Sequence, residues 1–143
     1  EEEEGRKEEE VNGRPPRLAV PRGTCDTHMH IYDTGVPSAP GGPALPGHFP
    51  VDAYRGLQRR LGLERVIIVQ PNAYQDDHRV TLAAIAALGP GAKGVGVVKP
   101  GISDAELARL TKAGIVAPRL FHRLTDATLG DAVLPQHAGE DLE

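Results

Sequence analysis

Apolar positions along this chain change period several times between Thr24 and Leu120. Arg65–Gln70 holds four apolar residues in succession, Val66-Ile67-Ile68-Val69, the mark of a strand covered on both faces. Lys93–Lys99 repeats the pattern around Val95, Val97 and Val98. Between these runs the period lengthens to that of a helix. Over Val51–Leu61, Tyr54, Leu57 and Leu61 share one helical face, Arg55, Arg59 and Arg60 lie off it, and Gly62 ends the element. Asp76 or Asp77 is placed to cap a second helix running to Leu88, with Leu82, Ile85 and Leu88 inward and Gly89-Pro90 closing it. Ser103-Asp104-Ala105-Glu106 has the form of a capping box, which predicts a third helix through Leu107 and Leu110 to Gly114. Thr24–Ile31 reads as the first strand and Ile115–Leu120 as the fourth, although Pro118 weakens the latter.

Strands that alternate with helices at this spacing predict a parallel α/β fold. Chemistry in such folds gathers at the carboxyl ends of the strands. His28, His30, the Asn72–Tyr74 loop, Lys99 and Arg119 all lie at or near such ends. Asp33–Pro50 is rich in Gly and Pro and follows the histidine strand directly, so it is a candidate lid, ordered or mobile. The organisation expected is an acidic, disordered tail over 1–22, a folded unit over 23–122 and an irregular C-terminal tail over 123–143.

The 143 residues suffice for one ordinary domain. No apolar run approaches the roughly 20 residues of a membrane span. The N-terminal residues are acidic, unlike the basic start of a signal peptide, and a cytoplasmic location is expected. A lone cysteine, Cys25, forms no internal disulfide and fits a reducing compartment. Net charge is −4, but residues 1–10 hold seven Glu against Arg6 and Lys7, so the remainder is close to neutral. That body carries no nucleic-acid footprint.

The residue-level chemistry centres on Asp26-Thr27-His28-Met29-His30. Residues two apart on a strand share a face, so two imidazoles stand side by side, suited to a metal ion or to a substrate's oxygens. The plainer alternative is a polar strand end without a ligand. By the same alternation Asp26 shares the face, either as acceptor for an imidazole's second nitrogen or as a cap at the strand start. Cys25 then faces away as a small core residue. Arg119 offers a planar cation for a carboxylate, or is a surface arginine. Lys99 offers a strand-end ammonium or a solvated charge. Asn72 and Tyr74 can hydrogen-bond substrate oxygens, or Tyr74 anchors its loop. His78 reads as exposed at a helix start. Walker, dinucleotide and G-x-S-x-G motifs are absent, and Gly94-Val95-Gly96 lies within a strand.

Cys25-Asp26-Thr27-His28-Met29-His30-Ile31-Tyr32-Asp33, with the Pro-rich loop behind it, resembles the start of the amidohydrolase superfamily. Val66–Pro71, Tyr74, Asp76-Asp77, Thr81-Leu82 and Ile102–Leu107 extend the likeness to its amidohydrolase-2 branch of sugar-acid lactone isomerases and pyrone-dicarboxylate lactonases. The resemblance covers roughly Gly23 to Arg119. It implies the N-terminal half of a (β/α)8 barrel and ring-opening or isomerising chemistry on small lactones of sugar acids or dicarboxylates. It implies His28 and His30 as catalytic site residues, the Asn72 position facing the pocket and Arg119 binding a substrate carboxylate, beside the Tyr74 contact read from the residues. It leaves cofactor use open: His28 and His30 ligate a divalent metal such as zinc, or contact substrate directly with no metal.

Two departures stand out. Lys99-Pro100 replaces the usual Asp-Pro, and Ile115–Phe121 lacks one of two arginines and an asparagine. A full barrel needs about 250 residues, and four strands supply half of one. Two open sheet edges then predict marginal stability, self-association through those edges, or completion by a partner. The alternative to an enzyme is a truncated, non-catalytic fragment with at most weak anion or metal binding.

Overall fold

Strand pairing follows chain order. The computed structural model describes residues 16–120, so residues 1–15 of the tail expected over 1–22, and the whole of the tail expected over 123–143, lie outside the described residues. Strands β1 (Cys25–Met29), β2 (Arg65–Val69), β3 (Ala92–Val97) and β4 (Ile115–Arg119) form one sheet in the order β1-β2-β3-β4. All three pairings are parallel. Helices α1 (Val51–Leu61), α2 (Arg79–Leu88) and α3 (Asp104–Lys112) make the three crossovers. A parallel sheet wound in one direction, with a helix after each strand, is how a (β/α) barrel is built. No helix among the described residues is long and apolar enough to cross a membrane.

The helices end where backbone chemistry stops them. Gly62 takes φ 73°, and the Leu63 amide closes back on the Gln58 carbonyl at 3.0 Å. The Ser103 hydroxyl accepts from the Glu106 amide at 3.2 Å, which is one half of the expected capping box. The other half is not made, because the Glu106 carboxylate turns to Arg109 at 2.7 Å. At α2 the helix begins later than the aspartates. His78 is the cap residue and makes no side-chain capping bond, and Asp77 accepts from the Arg79 amide at 3.2 Å.

The core lies between sheet and helices. Val66 and Ile68 of β2 pack with Tyr54, Ala84, Ile85, Leu110 and Ile115. Gly94 is what lets α2 lie this close to β3. A Cβ there would stand 2.7 Å from the terminal methyls of both Ile85 and Ile115. Pro118 is accommodated because β4 pairs only with β3 among the described residues, so its missing N–H can face the open side.

Two expectations are corrected by the fold. His78 is buried, its ring lying against Gly96, because α2 starts one residue after it and draws it under the sheet. Asp26 does not share a face with His28. The β1–β2 register shifts between Asp26 and Met29, and this bulge breaks the two-residue alternation. Asp26 therefore turns to the helix side, where it accepts from the Tyr54 hydroxyl at 3.0 Å. Its second oxygen accepts from the His28 amide at 3.1 Å and clasps the bulge.

Candidate functional site

The inner face of the sheet is left to the residues that alternate with the core. Val66 and Ile68 face the helices, so Ile67 and Val69 face inward. His28 and His30 share that side: their rings meet edge to face, with centroids 5.1 Å apart. The expected side-by-side pair is present, even though the bulge removes Asp26 from beneath it.

His30 is held by the next strand. Its Nδ1 lies 2.7 Å from the Val69 carbonyl, which can only accept, so Nδ1 carries the proton. In the neutral ring Nε2 is then the atom with a free lone pair. Burial holds the His30 pKa below its ordinary 6.5, the Val69 bond opposes this, and Arg119 and His28 add to the lowering. Arg119 reaches back from the end of β4 and donates from Nη1 to the Gln70 carbonyl at 2.7 Å. The last carbonyl of β2 and the one after it thus receive an imidazole from just past β1 and a guanidinium from the end of β4. The result is a neutral imidazole beside a fixed cation, a pairing able to hold a carboxylate and present a base or hydrogen-bond acceptor next to it.

The other sequence candidates are placed differently. Asn72 is exposed on the short 3-10 turn Asn72–Tyr74 after β2, and its side-chain oxygen accepts from Gln75 at 2.6 Å. Tyr74 is fully buried. Its hydroxyl accepts from the Asp33 amide and donates to the Asp33 carbonyl, both at 2.9 Å. Tyr74 as a substrate contact is therefore corrected to Tyr74 as a clasp between two loops, because its only polar side-chain atom is already closed. The lid expected over Asp33–Pro50 is a docked loop. Tyr32 and Phe49 bridge its base, and the Ala39 amide donates to the Ala73 carbonyl at 2.9 Å. Lys99 is ion-paired with Asp76 at 2.7 Å, and it holds the Asp76 carboxyl below its ordinary pKa.

The residue that sequence reading passed over is Gln70. A glutamine that ends a buried apolar run and precedes a proline must find partners in the core. That signal was available in Val66–Pro71. A cavity of about 330 Å³ borders His30, but its wall runs along the β1–α1 layer, with Met29, Ile31, Phe49, Tyr54 and Leu57 among its lining, and does not include Arg119.

His28 and His30 are nitrogen donors of the kind a divalent metal takes. No cluster of three or more His, Cys, Asp or Glu occurs among the described residues, and Asp26 has turned away. The described residues thus supply a pair of nitrogen donors, short of the three or four protein ligands that a zinc site takes.

Comparison with known proteins decides the family. The amidohydrolase family model Amidohydro_2 matches residues 25–137. The chain belongs to the amidohydrolase family. A D-galactarolactone isomerase of Agrobacterium fabrum is 42% identical to this amidohydrolase over 113 residues, which are 78% of this chain and 39% of that protein. A 2-pyrone-4,6-dicarboxylate hydrolase of Comamonas testosteroni is 33% identical over 128 residues, 87% of this chain and 42% of that one. A crystal structure of an Agrobacterium tumefaciens protein superposes with a TM-score of 0.70 at 43% identity, covering 76% of this chain and 39% of that chain. This amidohydrolase therefore spans about two fifths of the length of the relatives it matches. Its parallel (β/α) units are part of the TIM-barrel-like fold of the family, and lactone isomerases and hydrolases are among its relatives.

Proposed function

We propose that this amidohydrolase binds small lactones of sugar acids or dicarboxylates at His28, His30 and Arg119, with Asn72 at the rim, and opens or isomerises their rings. The observation that carries this reading is the pairing at the carboxyl end of β2: His30 on the Val69 carbonyl and Arg119 on the Gln70 carbonyl. Arg119 takes the substrate carboxylate. The free Nε2 of His30 accepts a proton from the attacking water or hydroxyl as it adds to the lactone carbonyl. The ring C–O bond then breaks, and the leaving alkoxide takes up a proton to become a hydroxyl. His28 bears on the same oxygens edge-on. The remaining groups of the pocket come from outside the described residues, in keeping with relatives more than twice as long.

The test is turnover of D-galactarolactone and of 2-pyrone-4,6-dicarboxylate by the purified chain, with His28→Ala and His30→Ala as controls. Ring opening or isomerisation that falls at least about 100-fold in both variants supports the reading. Activity equal to that of the controls refutes it, and carboxylate binding retained without turnover would favour a binding-only fragment.

A further inference from the structure

Gln70 is wholly buried, and it bonds in two directions. On the helix side its amide Nε2 donates to the Asp77 carbonyl at 2.7 Å and to the Gln75 carbonyl at 3.1 Å. Its Oε1 accepts from the Thr81 hydroxyl in the first turn of α2. Those bonds fasten the turn from Pro71 to His78 onto the helix. The turn needs fastening: Gln75 sits at φ 49°, ψ −121°, a conformation that residues other than glycine adopt only when their surroundings impose it. On the main chain, the Gln70 amide donates to the Val95 carbonyl at 2.8 Å, and the Gln70 carbonyl accepts from Arg119. The carbonyl's direction is further restricted because Pro71 follows it. One residue therefore links the shape of the turn to the place of the guanidinium.

We propose that Gln70 is a positioning residue, whose side-chain clamp on the turn holds its own carbonyl at the angle that sets Arg119 beside His30. The proposal rests on the reading of Arg119 as the carboxylate-binding cation and names what fixes its geometry. Gln70 touches no substrate. A residue with a merely structural role would change stability and leave the guanidinium where it is. Loss of the clamp instead lets the carbonyl shift with the relaxing turn, and the bond that Arg119 makes to it is weakened.

The experiment follows the Arg119 guanidinium Nη–H signal by solution NMR at low temperature, assigned through its loss in Arg119→Lys. In the wild-type chain the signal stands apart from solvent-averaged arginines. Gln70→Leu shifts it toward the averaged position, Thr81→Val shifts it less, and Thr81→Ser, which keeps the hydroxyl, leaves it in place. With D-galactarolactone, Gln70→Leu raises KM about tenfold while kcat stays within about twofold, since binding and not chemistry is disturbed. An unmoved Arg119 signal in a folded Gln70→Leu chain overturns the proposal, as does a wild-type signal already averaged. If Gln70→Leu does not fold, the comparison of Thr81→Val with Thr81→Ser stands in for it: equal signals in both overturn the proposal. A wild-type chain that turns over no lactone refutes the proposed substrate class, and the NMR comparison still decides the role of Gln70.

Discussion

His30 and His78 are both held below their ordinary pKa of 6.5, and burial is the largest cause for each. For His78, Arg109 also lowers the value, whereas Asp76, Glu106 and a bond to the Val97 backbone raise it. The unfolded chain takes up these protons near pH 6.5, and the folded chain only at lower pH. Between those limits the unfolded state binds more protons, so stability falls as pH falls. Each unit of lowering corresponds to about 1.4 kcal/mol. Thermal melting should therefore be flat above about pH 7.5 and decline from about pH 6.5 downward, before the carboxylates titrate. His78→Gln should flatten that decline. An identical slope in the variant would remove His78 from the account. Chain pattern alone placed His78 at a helix start and exposed. It missed the burial because the cap lies one residue later than the aspartates suggest, and Gly96 leaves room for the ring.

The helices and strands were legible in the order of their periods. Val51–Leu61 agrees end to end, since Gly62 is an unambiguous stop. Strand ends agree less well, because β1 and β3 finish before their apolar patterns do. The pair His28 and His30 was legible because two-residue spacing on a strand survives locally. The place of Asp26 was not, because a bulge shows no signature in composition and reverses faces for everything before it. The partners of His30 and Arg119 were also hidden: backbone carbonyls on a neighbouring strand leave no trace in residue identity. Ser103 and Glu106 show the same limit within one helix. The motif predicts reciprocal bonds, but only the serine makes its own. Ser103→Ala should then cost about 1 kcal/mol in chemical denaturation. Glu106→Ala should cost clearly less, since its carboxylate serves only an exposed pair with Arg109. Equal losses would mean that both halves of the box form in solution.

At the scale of the molecule, the sheet ends at β1 and at β4 among the described residues, and exposed apolar side chains stand near both ends. Phe49 beside β1 is 52% exposed, and Val116 and Leu120 at β4 are 59% and 55% exposed. Unpaired parallel edges with apolar neighbours invite further strands. Static light scattering of the chain should rise with protein concentration, and Val116→Lys with Leu120→Lys should lower that rise. Scattering that is unaffected by the pair of lysines would place association elsewhere.

Strand order equal to chain order has a consequence for how this molecule comes into being. Each strand meets its partner across a single intervening helix, so no pairing must wait for a distant part of the chain. Ordering can start within one strand–helix–strand module and spread by repeating the same step, much as in repeat proteins. The chain leaving a ribosome could therefore begin to order while its later modules are still being made. The β1–β2 pairing that seats His30 would then form before the strand that brings Arg119 has emerged.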